Sequence, residues 1–143
     1  MSRKLPELEL RRVATGKTLA HFSARNFDWR RQATCLHMAR FQMKAMGHTP
    51  PRIPPIRSEL RAIKELRARG HANVIALLDS LLPRIAPAEM RLGDLAAIPG
   101  EDGRFDCLLI NVAPRKFAGW HPDSFLMAVM DIDLGNVAAA WRL

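Results

Sequence analysis

Between Phe27 and Gly47 the chain reads FDWRRQATCLHMARFQMKAMG, and its apolar residues fall at helical spacing. Leu36, Ala39, Met43 and Met46 recur every third or fourth position, with Cys35 and Met38 beside them. His37, Arg40 and Lys44 share one narrow polar face. The pattern predicts a helix that is apolar around most of its circumference, as a helix packed in a core must be. Thr34 is a natural N-cap and Gly47 a natural C-cap, and the prolines soon after forbid continuation.

Pro50, Pro51, Pro54 and Pro55 make His48 to Arg57 an extended connector. Ser58 then caps a helix through Arg69, with Leu60, Ile63 and Leu66 expected inward and Gly70 ending it. A further helix runs from about Asn73 to Leu82 on a stripe of Val74, Leu77, Leu78, Leu81 and Leu82. Upstream, Thr15 is a plausible N-cap for a short helix within Ala14 to Ser23, with Leu19 and Phe22 buried. Residues 1–12 alternate charge with Leu5, Leu8 and Leu10, a pattern open to a strand, a short helix or an arm that orders on a partner.

The character changes at Pro83, where short strand-like runs begin. They are Leu92 to Ile98, Phe105 to Val112, Lys116 to Trp120, Leu126 to Asp131 and Ala139 to Leu143. A Pro99-Gly100 turn and an acidic Glu101-Asp102-Gly103 loop separate the first two. Helices first and strands afterwards is the α+β pattern. The expected architecture is N-terminal helices, with a central cysteine-bearing helix packed on a small antiparallel sheet of about five strands. Residues 1–13 read as an N-terminal arm and 14–143 as a single domain, helical to about 83 and sheet from about 90.

Composition changes this picture little. The 143 residues, 48% hydrophobic and 25% charged, fit one globular domain with a real core. No apolar run reaches the roughly 20 residues of a membrane span. The opening MSRKLPELELRR has no apolar h-region, so a secretory leader is not expected. Two cysteines, Cys35 and Cys107, make no disulfide framework, and reduced thiols are the default. A formal charge of +8 admits a polyanionic partner, but the basic residues are spread from Arg11 and Arg12 through Arg30 and Arg31 to Arg61, Lys64 and Arg67. With no tyrosine and only 6% aromatic residues, a base-stacking platform is disfavoured, and a solvated basic face is the preferred reading over nucleic-acid binding. Gly16-Lys17-Thr18 is not a phosphate loop, because Arg11 occupies the place of the required first glycine.

The chemistry centres on Cys35. A cysteine in the first turn of a helix sits in partial positive charge, which favours a thiolate. The same residue also reads as a small buried hydrophobe, since free cysteine is among the most buried residue types. His37 lies on another face, because positions two apart on a helix do not meet. His21, His48 and His71 are scattered, and no Cys/His spacing calls for zinc, so neither metal nor cofactor is expected. Cys107 reads as a strand core residue, and Asp94 after Gly93 as a turn-fixing or amide-capping carboxylate.

The order of these pieces resembles the NlpC-type branch of the papain-like cysteine peptidases, and in detail a phage- and prophage-encoded domain of unknown function placed in that superfamily. The matching residues are Phe27-Asp28-Trp29-Arg30-Arg31 leading to Thr34-Cys35, Met46-Gly47-His48, Ser58 and Leu78-Asp79-Ser80-Leu81-Leu82. Pro83-Arg84-Ile85-Ala86-Pro87, Leu92-Gly93-Asp94-Leu95, Gly119-Trp120-His121 and the terminal Ala140-Trp141-Arg142-Leu143 complete them, over roughly residues 10–143. The resemblance implies a papain-like fold and a place in a phage tail or its assembly. Partners would be other tail or virion proteins, with a homo-oligomer and peptidoglycan also admitted. The location would be the virion tail, or the host cytoplasm during assembly.

A papain-like site needs a thiolate, an imidazole and a group that orients the imidazole. The resemblance puts Cys35 at the nucleophile position, but Thr34 stands where the pattern usually has aspartate. Arg104-Phe105-Asp106-Cys107 stands where the histidine strand should open. Asp106 is a poor substitute: a carboxylate near pKa 3.9 does not take a proton from a thiol near 8.5. His121 remains, either as a base reaching Cys35 or as a loop residue before Pro122. The preferred expectation is a structural or binding protein with a degenerate, catalytically impaired papain-like fold. The alternative is an active cysteine peptidase or amidase on peptidoglycan peptides, with Cys35 as nucleophile and His121 as base.

Overall fold

Three helices begin where a side chain closes their first turn. Thr34 accepts from His37 N, Ser58 from Arg61 N and Asn73 from Ala76 N, each satisfying an amide with no partner inside its helix. These caps open α2 (Cys35–Ala45), α3 (Glu59–Ala68) and α4 (Val74–Leu81). Gly47 and Gly70, at φ +93° and +84°, turn the chain out of α2 and α3 in the left-handed conformation that glycine tolerates. The computed structural model describes residues 6–100, 105–120 and 126–143. Within them lie four α-helices and one six-stranded antiparallel sheet, an α+β fold.

The first helix departs from the expectation. α1 runs continuously from Glu7 to Phe22, so the expected border between arm and domain falls inside it and Thr15 is a mid-helix residue. The reason is Arg11. It looked like a solvent charge but is only 3% exposed, and its Nη1 reaches Asp94 Oδ1 at 2.8 Å. Arg11 also donates to Leu92 O (2.9 Å) and Leu143 O (3.0 Å), tying the helix to the sheet and the C-terminus.

The strands are β1 (Arg84–Ile85), β2 (Leu95–Ile98), β3 (Cys107–Ala113), β4 (Lys116–Gly119), β5 (Ala128–Asp131) and β6 (Ala139–Trp141). Their spatial order is β1-β6-β2-β3-β4-β5. Five match the expected runs with shorter bounds. The additional strand, β1, is two residues long and exists through its pairing of Arg84 with Trp141 and Ile85 with Ala140. β2 begins at Leu95 rather than Leu92 because Asp94 closes a turn by accepting from Arg91 N at 2.8 Å. The expected Glu101-Asp102-Gly103 loop lies outside the described residues.

Alternation along β2, β3 and β6 sorts the sheet into two faces. Leu95, Ala97, Leu108, Ile110, Ala139 and Trp141 meet the helices. Ala96, Leu109, Phe117 and Val137 form a second cluster on the back, flanked by Met130, Ile132 and Leu134. α2 brings Leu36, Met38, Ala39 and Met43 to the first face, each fully buried large side chain contributing about 1.5–3 kcal/mol. α3 turns Ala62 and Leu66 inward, while Leu60, expected inside, is 62% exposed. No helix among the described residues is long and apolar enough to cross a membrane.

Candidate functional site at the mouth of the cysteine helix

Cys35 is the first residue of α2, with Thr34 in extended conformation ahead of it. The preceding loop is fixed by its own hydrogen bonds. Asp28 and Ala33 exchange backbone bonds of 2.8 and 2.9 Å, and Asp28 Oδ1 accepts from Arg30 N at 2.9 Å. This closure turns Trp29 inward, where it stands edge-on to Phe27, Phe105 and His37 at 5.6–6.1 Å. Trp120 continues the aromatic wall against Phe27 and Phe22, both at 5.8 Å, and anchors its Nε1 on Arg25 O at 2.9 Å.

The helix mouth faces the start of β3. Cys35 Sγ lies 3.8 Å from Asp106 O and is 3% exposed. Two influences oppose each other at this sulfur. The amide-rich helix end favours a thiolate. Burial favours the thiol and prevails, with a smaller contribution from the nearby Asp106 charge, so the group is pushed up from 9.0 to about 11. At neutral pH Cys35 is therefore a neutral thiol, the reverse of an activated nucleophile.

No base offsets this among the described residues. His37 turns its Nδ1 to Thr34 Oγ1 at 2.8 Å, and burial, with Arg40 beside it, lowers its pKa from 6.5 to about 4. Burial thus favours the neutral form of both groups, and His37 is not poised to take the Cys35 proton. His21 stacks on Phe41 at 4.5 Å, away from the sulfur. Asp106 Oδ1 accepts from Gly100 N at 3.1 Å, so this carboxylate is tied to the chain just past β2. Cys107 donates to Trp120 O at 3.2 Å, and burial first, then Cys35 and Asp106, raise its pKa strongly. His121 lies outside the described residues. Among the described residues, no group of three or more His, Cys, Asp or Glu side chains could hold a metal ion.

Two polar constellations go beyond the sequence reading, which has Asp94 fixing a turn or capping an amide, as it does at Arg91 N, without the ion pairs around it. Asp94 is fully buried and takes Arg11 and Leu143 N on Oδ1, and Arg142 and Arg91 N on Oδ2, all at 2.8–3.0 Å. Gln42, also fully buried, accepts from Thr18 at 2.6 Å and donates to Thr15 Oγ1 and Gly93 O at 3.1 and 3.2 Å. Both networks join α1 and the sheet behind the cysteine helix. The available signal was weak: a glutamine inside an otherwise apolar helical stretch, and an Asp-bearing turn with a positive-φ glycine.

Residues 7–143 match the family described as a domain of unknown function (DUF6950), and the chain belongs to that family. No curated protein matches it.

Proposed function

We propose that this chain is a papain-like, NlpC-type scaffold kept as a structural or binding component of a phage tail or of its assembly pathway, without peptidase chemistry. The observation that carries the reading is the state of Cys35. The sulfur occupies the mouth of a helix packed on an antiparallel sheet, yet it is buried against Asp106 O and held as a neutral thiol. A cysteine in the first turn of a helix packed on an antiparallel sheet is what the papain-like reading expects, and it supports that reading, while Asp106 stands where the resemblance calls for histidine. A buried neutral thiol with no base beside it among the described residues is not activated for acyl transfer. The scaffold's remaining assets are a rigid core and its surface.

Two measurements test this. The first incubates purified protein with a peptidoglycan stem peptide and follows cleavage. No turnover is expected; turnover that Cys35→Ser abolishes would install the active reading, with His121 as the base to examine next. The second follows an epitope-tagged copy through particle assembly in the host. The tag is expected with tails or tail intermediates, and Cys35→Ala is expected to assemble as well as the parent. Absence from particles and from every intermediate would end the virion assignment.

A further inference from the structure

The sheet has one edge closed by its own sequence, and another, at β5, that is bridged at its start by Asn26 to Leu126 and is open beyond that among the described residues. β1 is only Arg84 and Ile85, flanked by Pro83 and Pro87, and offers little ladder to extend. From Ala128 to Asp131, β5 has no such protection among the described residues. The bond from Ile132 N to Arg115 O (2.9 Å) sets the alternation of the β4–β5 ladder. Residues 128, 130 and 132 turn their backbone groups to β4, and 127, 129 and 131 turn theirs outward. Met127 N is taken by Arg25 O at 3.2 Å. Val129 and Asp131 keep outward N–H and C=O groups with no backbone partner among the described residues, and Val129 is 52% exposed.

We propose that this edge pairs with β5 of a second copy of the chain, making a two-fold dimer whose sheet runs unbroken through both copies. The open groups select the register. A dyad at Met130 puts Val129 opposite Asp131 of the second copy, and the reverse, so every open group is used in reciprocal pairs of hydrogen bonds. A shift either way sets an open residue against Met127, already bonded to Arg25, or against Asp133, in the 3₁₀ turn of Leu134–Asn136.

Side chains favour the same register. On the back face Met130 meets its own counterpart and Ala128 meets Ile132 of the second copy. These residues line an open apolar trough of about 780 Å³ with Ile98 and Val137, and pairing joins the two troughs. On the other face Lys116 neutralises Asp131 within each chain at 3.1 Å. Beyond the strand, Asp133 leaves the ladder for its 3₁₀ turn beside Met127 of the second copy, whose outward amide Arg25 holds. Among the described residues, Arg25 has no carboxylate partner, and the Asp133 carboxylate takes only Gly135 N at 3.0 Å. Two complementary contacts therefore form across the dyad, on a chain whose net charge of +8 otherwise opposes self-association.

Sedimentation of the full chain over a concentration series, with three sets of variants, tests the proposal. The parent is expected to show a monomer–dimer equilibrium. Val129→Pro removes an outward N–H without touching the β4 ladder, and is expected to weaken the dimer at least about tenfold. Arg25→Asp and Asp133→Arg should each weaken it, and the two together should restore it. Met130→Cys, a mild change that leaves the backbone intact, should cross-link to itself in air, because a non-hydrogen-bonded antiparallel pair holds Cα atoms about 4.5 Å apart. A monomer at every concentration, a dimer indifferent to Val129→Pro, a charge swap that fails to rescue, or no Met130→Cys cross-link would each overturn it.

Discussion

Replacing Asp94 by alanine should remove much of the stability of the fold, and the structure supplies the magnitude. Asp94 is fully buried and holds Arg11, itself 3% exposed, at 2.8 Å. Without the carboxylate, Arg11 keeps Leu92 O, Leu143 O and the exposed Glu7, but no buried anion. Arg91 N and Leu143 N lose their acceptor as well. Breaking one side of a buried ion pair costs about 3–5 kcal/mol, a large share of the roughly 5–15 kcal/mol that holds a domain together. For a chain of this length that lowers the melting temperature by roughly 8–15 °C. Urea unfolding followed by tryptophan emission reads it directly, because Trp29, Trp120 and Trp141 are all buried. The control is Arg11→Met with Asp94→Leu. Removing both relieves Arg11 of its unpaired charge, while Arg142, Arg91 N and Leu143 N still lack their acceptor, so the double variant should be more stable than Asp94→Ala without regaining the parent's full stability. A loss under about 1 kcal/mol for Asp94→Ala, or a double variant as unstable as the sum of the singles, would refute the reasoning.

Native-state alkylation of Cys35 should be slow at pH 7 and accelerate only toward about pH 11, where its raised pKa lies; rapid alkylation below pH 7 would contradict the burial account. The same thiol bears on alkaline stability: its folded pKa is raised above 9.0, so its contribution is complete below pH 9 and is lost as pH climbs through about 11. His37 acts at the other end. Its folded pKa is lowered from 6.5 to about 4, so the unfolded chain binds the extra proton and stability falls as pH drops from 6.5 toward 4. Melting curves across that window should slope less in His37→Gln, and an unchanged slope would remove His37 from the account. Gly93→Ala should cost about 1–3 kcal/mol by thermal melting. It forces φ +90° on alanine and brings its Cβ to 2.9 Å from Thr15 Oγ1 and 3.0 Å from Gln42 Nε2; a neutral result would show that this junction yields.

What the sequence disclosed was local, and what it concealed was long-range. Thr34, Ser58 and Asn73 cap helices through amides three residues away, and Gly47 and Gly70 end them within a turn, so α2, α3 and α4 could be read from short windows. α1 could not. Its buried side depends on Arg11 meeting a carboxylate 83 positions later, and charge alternation there mimicked an exposed arm. β1 is defined by β6 rather than by its own two residues. Leu60 carried a correct period but the wrong face, because α3 packs through Ala62 and Leu66. At the candidate site, the position of Cys35 was legible from cap and spacing. Its burial was one of the two readings the sequence offered, but the elements that supply it, β3 and the loop that folds Trp29 inward, were not legible.

This leaves a cysteine whose position and state point in opposite directions, and the sizes of the competing terms explain why. A helix N-terminus favours an adjacent anion by about 0.3–1 kcal/mol, and by about 2 kcal/mol in the best buried geometry. Raising the thiol from 9.0 to about 11 corresponds to about 2–3 kcal/mol the other way, after the backbone contribution has been made. Burial is the leading cause and Asp106 the least of those acting on the sulfur. Asp106→Asn should therefore leave alkylation slow, whereas Phe105→Ala, which removes the ring packed 5.6 Å from Trp29, should admit water and speed it. Thiol titration of both variants decides the order of the two causes. A large acceleration in Asp106→Asn alone would mean that the carboxylate, not the dry surroundings, keeps the sulfur protonated.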